Sequence, residues 1–296
     1  MKIKGMDRFH EHLPDYSGKK FRFFARLSAV SAFFSIFFML IMDGIFRIFL
    51  SGDFLIIISP FGPILGVGII EFIGFLLVYL FWKKKDKLLQ KLANKAYQKA
   101  LIYALIGIPW IITLMIHIYF PIDLIIPISS MDSITKLLSR SITELFVGFN
   151  ILDIAIRSIF GLILLFVGVG TVFRTLSVFG MDYMGLVYVY YPEESEVQHY
   201  EIYSIIRHPT YFALFTLALG GVFFRFSLYS IIFYTMIICG LMIHIYYVEE
   251  KELINRFGDS YREYQKRVPA ILIKPKDLGR FIKFLIGKQN TEKNLD

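Results

Sequence analysis

The chain has 296 residues, of which 56% are hydrophobic and 19% charged, with 31 Phe, a formal net charge of +8 and a mean hydropathy of +0.60. Counted with Gly in place of Tyr, roughly 57% is apolar, against about 45–50% in soluble globular chains. This excludes a soluble globular enzyme, a disordered chain and a fibrous repeat, and leaves a polytopic membrane protein if the apolar residues come in runs of about 20. The single cysteine, Cys239, excludes a disulfide framework and any cysteine-based metal cluster.

Six apolar stretches satisfy that condition. They run from about Phe23 to Ile41, from Phe54 to Trp82, from Leu101 to Phe120, from Ile154 to Phe173, from Ile205 to Phe224 and from Ser227 to Val248. The second is long enough to tilt or to break near Pro60 and Pro63, and the third contains Pro109. Each offers about 20 residues or more, and about 30 Å of helix crosses the hydrocarbon core. Backbone groups in lipid must pair within their own segment, so the expected fold is all-α: a polytopic membrane bundle of about six transmembrane helices, ending in a helical hairpin and a cytosolic C-terminal segment. Only Arg225 and Phe226 separate the last two stretches, which forces a tight antiparallel hairpin.

The charges follow the same plan. All but five of the 32 Lys and Arg fall before the first stretch, between the second and third, between the fourth and fifth, or after the sixth. The exceptions are Arg47, Lys136, Arg140, Arg157 and Arg225. The positive-inside rule then predicts an integral, multi-pass protein with both termini cytoplasmic, and the excess charge reads as topology, with no nucleic acid as partner. About 20 polar residues precede the first stretch and no A-x-A site follows it, so an uncleaved anchor is expected. The chain divides into four N-terminal spans (1–174), a core with the last hairpin (175–276) and a basic tail (277–296).

Several features have both a chemical and a plain reading. Lys83–Lys99 either grips anionic headgroups of membrane lipids or is a helical extension with a solvated face. Glu71, inside the second stretch, is either functional or protonated and hydrogen-bonded to a neighbouring helix. Ser133–Lys136 matches S-x-x-K without its companion motifs and lies in an amphipathic segment, Met131–Leu145. His10 and His12 form an H-x-H pair, and no other His/Cys/Asp/Glu set has ligand spacing, so no metal site is assigned. No glycine-rich phosphate loop follows a plausible strand.

The informative stretch is Ser195–Pro275. Arg207-His208-Pro209-Thr210-Tyr211 enters the fifth span, where proline suits a first helical turn. His208 and Tyr211, three apart, share a face. Glu249-Glu250 leaves the sixth span, followed by Leu253, Phe257, Tyr261, Tyr264 and Val268, a stripe that would pack a C-terminal helix on the bundle. The tight hairpin brings the start of the fifth span and the end of the sixth to one membrane level, so the basic and aromatic cluster meets the acidic pair.

RHPTY followed by EEKELINRFGDSYREYQKRVP resembles the isoprenylcysteine carboxyl methyltransferase family, which belongs with the phospholipid N-methyltransferases. The resemblance implies an S-adenosylmethionine-dependent methyltransferase acting on a lipophilic substrate, prenylated or lipid-like, at the cytoplasmic membrane interface. It implies a cofactor pocket between the hairpin and the C-terminal segment. The family's cofactor contacts fall on Tyr203, His208, Pro209, Thr210, Tyr211 and Glu249, and its cofactor-lining backbone on Ser195–Gln198. A carboxylate suits the cofactor's amino group and ribose hydroxyls, and aromatic faces suit its sulfonium. Methyl transfer is an in-line displacement that positioning can accelerate without a general base, so no catalytic residue is assigned.

The chain departs from the family at four places. Glu201 and Ala213 stand where glycines are usual, and Tyr247 and Ile245 where an arginine commonly holds the substrate carboxylate. Arg207 or His244 are the candidates to replace that arginine at the substrate. Sterol and steroid reductases, which use NADPH, resemble the same hairpin and its H-P-x-Y turn, but typically carry Asn after the proline and a Trp-bearing tail, where Thr210 and Tyr261 stand here. A non-catalytic membrane protein on the same scaffold is the third reading.

Overall fold

A computed structural model describes residues 3–16, 18–49, 52–120 and 131–288, all but the side chains of 46–48. Lys2, the Arg47 side chain and 289–296 of the basic tail therefore lie outside the described residues. The described chain is all-helical, with no strand among its residues. Its principal helices are α1 (Arg22–Phe49), α2 (Phe61–Lys83), α3 (Ala96–Tyr119), α4 (Ile151–Phe179), α5 (Pro209–Arg225), α6 (Leu228–His244), α7 (Glu250–Phe257), α8 (Asp259–Arg267) and α9 (Leu278–Leu285).

Among the described residues five helical stretches are long and apolar enough to cross a membrane: Gly18–Ile45, which takes in most of α1, those containing α2, α3 and α4, and the run from Leu228 to Phe257. The fifth expected span is shorter than its apolar run. Helix α5 starts only at Pro209 and has 17 residues, about 26 Å at 1.5 Å per residue. The residue before a proline is held extended, so Ile205–His208 cannot join the helix and docks on another segment instead. The second stretch does break where its prolines stand: a helix Gly52–Ile58 ends before Ser59–Pro60 and α2 begins at Phe61.

Pro109 shows how lipid-facing helices keep their backbone satisfied. Lacking an N–H, it leaves the Leu105 carbonyl without its helical donor. The Ser28 hydroxyl of α1 donates to that carbonyl at 2.9 Å, and Ser31 donates to Ile106 O at 2.8 Å. A hydrogen bond missing from the continuous helix α3 thus becomes a tie between α1 and α3. Elsewhere the helices approach through small residues. A Cβ added at Gly107 would lie 2.8 Å from Gly74 O, and one at Gly161 would lie 3.1 Å from Gly220 O, so α2–α3 and α4–α5 touch backbone to backbone. Two residues join α5 to α6: Phe226 takes a left-handed conformation (φ 47°), and Ser227 forms with Ser230 a reciprocal cap that starts α6.

Both described termini lie at the same end of the bundle. Lys4 donates to Val178 O in the last turn of α4, Asp15 pairs with Lys95 before α3, and Arg174 near the end of α4 donates to Phe284 O of α9. The C-terminal segment is more than a basic tail, since Phe281 and Phe284 of α9 are buried against the bundle. At the opposite end Asp43 and His117, both buried, meet at 3.2 Å.

Other readings settle locally. Lys85–Leu92 forms its own short helix rather than extending α2. The Glu71 carboxylate packs against Gly240 of α6. His12 pairs with Glu194 at 3.2 Å while His10 packs edge-on to Phe21. Ser133 and Lys136 lie on a short helix capped by Asp132.

Candidate active site

The site is built where three pieces of backbone meet, two of them irregular. The first is the extended stretch before Pro209. Arg207 N–H donates to Pro269 O and His208 N–H to Ala270 O, each at 2.9 Å, which clamps this stretch onto the segment after α8. The second is a π-helical turn, Ile245–Glu249, between α6 and α7. Such a turn carries one extra residue, and these turns recur at functional sites. It lets two consecutive glutamates face the same cluster. The third is α8, which presents Tyr261, Tyr264 and Gln265.

Glu250 is the hub. It is buried, and its carboxylate accepts from Arg207 Nε (2.9 Å) and Nη2 (3.2 Å), His208 Nε2 (2.6 Å), Tyr261 Oη (3.2 Å) and Gln265 Nε2. Arg207 also donates through Nη1 to Gln265 O (3.2 Å) and Val268 O. Four of its five N–H donors are thus engaged within the chain. The guanidinium that sequence offered to a substrate carboxylate is bound instead to the chain's own carboxylate.

Glu249 stands on the other side of the same imidazole, with its Oε2 at 3.5 Å from His208 Nδ1. Burial alone pulls the His208 imidazole down, but hydrogen bonds to Glu249 and Glu250, with their negative charges, outweigh it and lift the group to about 8. The imidazole is therefore held toward its charged form between the two carboxylates. The ring of Tyr211 lies edge-on to His208 at 5.8 Å, on the shared face expected for their spacing. Tyr203 packs edge-on to Phe179 at 4.6 Å, and its carbonyl accepts from Tyr264 Oη at 2.6 Å. Burial, with a contribution from the Glu249 charge, pushes the Tyr203 phenol up. Pro209 is buried as the first residue of α5, and Thr210 Oγ1 turns toward Met184 Sδ at 3.7 Å. So His208, Tyr211 and Tyr203 surround Glu249, while Thr210 faces away.

His244 is buried in a ring of aromatics: Trp82 at 5.0 Å, Phe75 at 6.0 Å and Tyr211 at 6.3 Å. Three buried polar atoms here have no hydrogen-bond partner: His244 Nε2, Trp82 Nε1 and Glu249 Oε2. Buried polar atoms are almost always satisfied, so three near one another mark a place that folding leaves chemically open.

The two positions where glycines were expected acquire a backbone meaning. Glu201 has φ 50°, in the left-handed region that favours glycine, and one of its carboxylate oxygens is also buried without a partner. Ala213 is fully buried, and a Cβ at Gly168 of α4 would lie 3.0 Å from its carbonyl, so that position needs a small side chain. Three site residues were missed in sequence: Glu250 as hub, and Tyr261 and Gln265 as its donors. Tyr261 and Tyr264 do pack with Leu253, Phe257 and Val268, as the stripe suggested, but their hydroxyls also serve the polar cluster. The signal for this was the second Glu, followed by polar-tipped residues at +11 and +15.

No protein-family model matches the chain, and no solved structure matches it. The chain is similar to the protein-S-isoprenylcysteine O-methyltransferase of Schizosaccharomyces pombe, with 33% identity over 69 residues. That match covers 23% of this chain and 29% of the length of the yeast protein. The apolar helices and this partial similarity together fit an integral membrane protein with a methyltransferase as distant relative.

Proposed function

We propose that this protein is an integral membrane methyltransferase that uses S-adenosylmethionine to methylate a lipophilic acceptor at the cytoplasmic membrane interface. The observation that carries the reading is Glu249, whose buried Oε2 makes no hydrogen bond and faces His208 Nδ1 at 3.5 Å. The residues present suit the cofactor: a carboxylate with free acceptor capacity takes an amino group or ribose hydroxyls, and Tyr203 and Tyr211 offer aromatic faces to a cation. When bound, the cofactor supplies a methyl group on a positively charged sulfur. The chain supplies the rest. Glu250 orients His208, His208 orients Glu249, and helix α8 packs Tyr261 and Gln265 over the cluster and keeps water from it, so that positioning supplies much of the rate. The positive-inside distribution supports a cytoplasmic location for this end of the bundle.

The test is equilibrium binding of S-adenosylmethionine and of NADPH to the purified protein in neutral lipid. S-adenosylmethionine should bind, and Glu249→Gln, which keeps shape but removes charge, should weaken it about tenfold or more, the scale of a lost charge-assisted hydrogen bond. Binding of NADPH alone would favour a reductase, and binding of neither would leave a non-catalytic scaffold.

A further inference from the structure

The C-terminal helix α9 carries more apolar surface than the bundle covers. Its Phe281 and Phe284 are buried in one cluster with Ile202, Ile205 and Ile206, and the Phe281 ring lies edge-on to Phe212 of α5 at 5.3 Å. Arg280 Nη2 ties the helix to Ser204 Oγ at 2.6 Å. Leu278 and Ile282 of α9 and Ile286 at its end, each four apart, share a second stripe. They stay 51%, 51% and 62% exposed, and Leu272 just ahead of the helix is 81% exposed. A helix seated firmly on one face with a second apolar stripe left open meets something besides the bundle.

Charge and position narrow the occupant. From Val268 to Lys288 the chain carries five cations, Lys274, Lys276, Arg280, Lys283 and Lys288, against one carboxylate, Asp277, which Arg280 holds at 3.2 Å. Lys274 Nζ donates to Arg267 O at 2.8 Å. The ammonium groups of Lys276, Lys283 and Lys288 are exposed and have no partner among the described residues. The helix sits near the end of α4: Arg174 Nε donates to Phe284 O at 2.9 Å, and a Cβ at Gly170 would lie 3.6 Å from Leu285 Cδ2. Beside these two residues Phe166, Val169 and Phe173 form the exposed apolar face of α4, a helix long enough to cross a membrane. The open stripe of α9 therefore adjoins the lipid-facing surface of α4, at the end of the bundle that holds both described termini. A second copy of the same face would set like charges against each other, whereas an acidic surface complements them.

We propose that the open face of α9 docks on the anionic phospholipids of the adjoining leaflet, with Leu272, Leu278, Ile282 and Ile286 in the acyl boundary and Lys276, Lys283 and Lys288 on headgroup phosphates. An amphipathic helix of this kind lies flat in the interface, and lysine stems run along the apolar layer while their ammonium groups stay at the headgroups. Each such lysine strengthens attachment to an anionic surface roughly fivefold. The proposal does not depend on the methyltransferase reading.

The experiment measures amide hydrogen exchange across 272–288 in the full chain, one copy per nanodisc. Discs of neutral phosphatidylcholine are compared with discs that also contain phosphatidylglycerol, and the interior of α3 serves as the internal reference. Exchange in 278–286 should slow at least about fivefold in the anionic discs, and high salt should remove the difference. Lys283→Gln should give back about fivefold of the slowing, and the triple variant Lys276→Gln, Lys283→Gln, Lys288→Gln all of it, with α3 unchanged in both. Ile282→Ser should reduce the slowing as well, because the stripe enters the acyl boundary. Equal exchange in the two lipids, or slowing that persists in the triple variant, would overturn the proposal. Slowing unchanged in Ile282→Ser would mean charge attraction without docking and would overturn it too. Inorganic phosphate reproducing the effect in neutral discs would assign the lysines to a free anion, and slowing seen only in discs loaded with two copies would assign the face to a second copy; either result overturns it.

Discussion

His208 and Glu250 are 42 positions apart in sequence, yet the imidazole Nε2 lies 2.6 Å from the carboxylate, inside a buried cluster that also holds Arg207 and Glu249. Two cations and two anions share this cluster, and the two glutamates have different tasks. Glu250 is saturated by the chain's own donors, while Glu249 keeps an oxygen free.

That division predicts unequal losses. Glu250→Ala leaves Arg207 buried without its partner, and breaking a buried pair in this way costs about 3–5 kcal/mol. Glu249→Gln keeps an amide oxygen facing His208 Nδ1 and removes one of the two charges beside that imidazole, so it should cost less, about 1 kcal/mol. Thermal unfolding of the two variants in the same detergent checks this. A loss in Glu249→Gln as large as that in Glu250→Ala would contradict it.

The same cluster sets a pH dependence. The His208 group is raised to about 8 from an ordinary value of 6.5. A group raised on folding contributes stability that is fully present below its unfolded value and is lost as pH rises through its folded value. The stabilisation is about 2 kcal/mol, present below about pH 6.5 and lost as pH rises through about 8. Unfolding measured across this window should show the decline, and His208→Gln should flatten it.

Glu201 carries a strained backbone. An L-residue in the left-handed region costs about 1–2 kcal/mol, and glycine recovers part of it against its larger unfolded-state entropy. Glu201→Gly should leave stability unchanged or raise it by up to about 1 kcal/mol, while Glu201→Val, β-branched, should lower it. Denaturation of the two variants is the check.

At the other end of the bundle, His117→Ala leaves the buried Asp43 without its 3.2 Å partner. The expected loss is about 1–3 kcal/mol, the cost of leaving a buried polar group without its neighbour, and the double variant Asp43→Leu, His117→Ala should recover part of it because neither polar group is then left buried. Unfolding midpoints of the single and double variants decide.

Most of the architecture was legible because lipid imposes a simple rule: long apolar runs are helices, and prolines and charges mark where they end. The break at Ser59–Pro60 and the tight turn at Phe226–Ser227 both followed from local residues. The short α5 was less legible, because Ile205 and Ile206 look like span but are buried by packing on another segment, with Arg207 and His208 tied to Pro269 and Ala270. The site was half legible. His208, Tyr211 and Glu249 were picked out by type and spacing, and the structure brings them together. Glu250 as hub, the π-helical turn that lets both glutamates face His208, and the donors Tyr261 and Gln265 depend on how α8 folds back, which no local pattern encodes. Thr210 turns away for a similar reason: on a helix, the neighbour of Tyr211 points elsewhere.

The central claim is that the stretch around His208 and the end of the last long helix together enclose a methyl donor. Ultraviolet crosslinking of methyl-labelled S-adenosylmethionine to the full chain, followed by peptide mapping, tests it most directly. The account predicts label on peptides spanning Tyr203–Tyr211 and His244–Glu250, displaced by unlabelled cofactor and absent in Glu249→Gln. Label confined to other peptides, or label that persists unchanged in that variant, would contradict it.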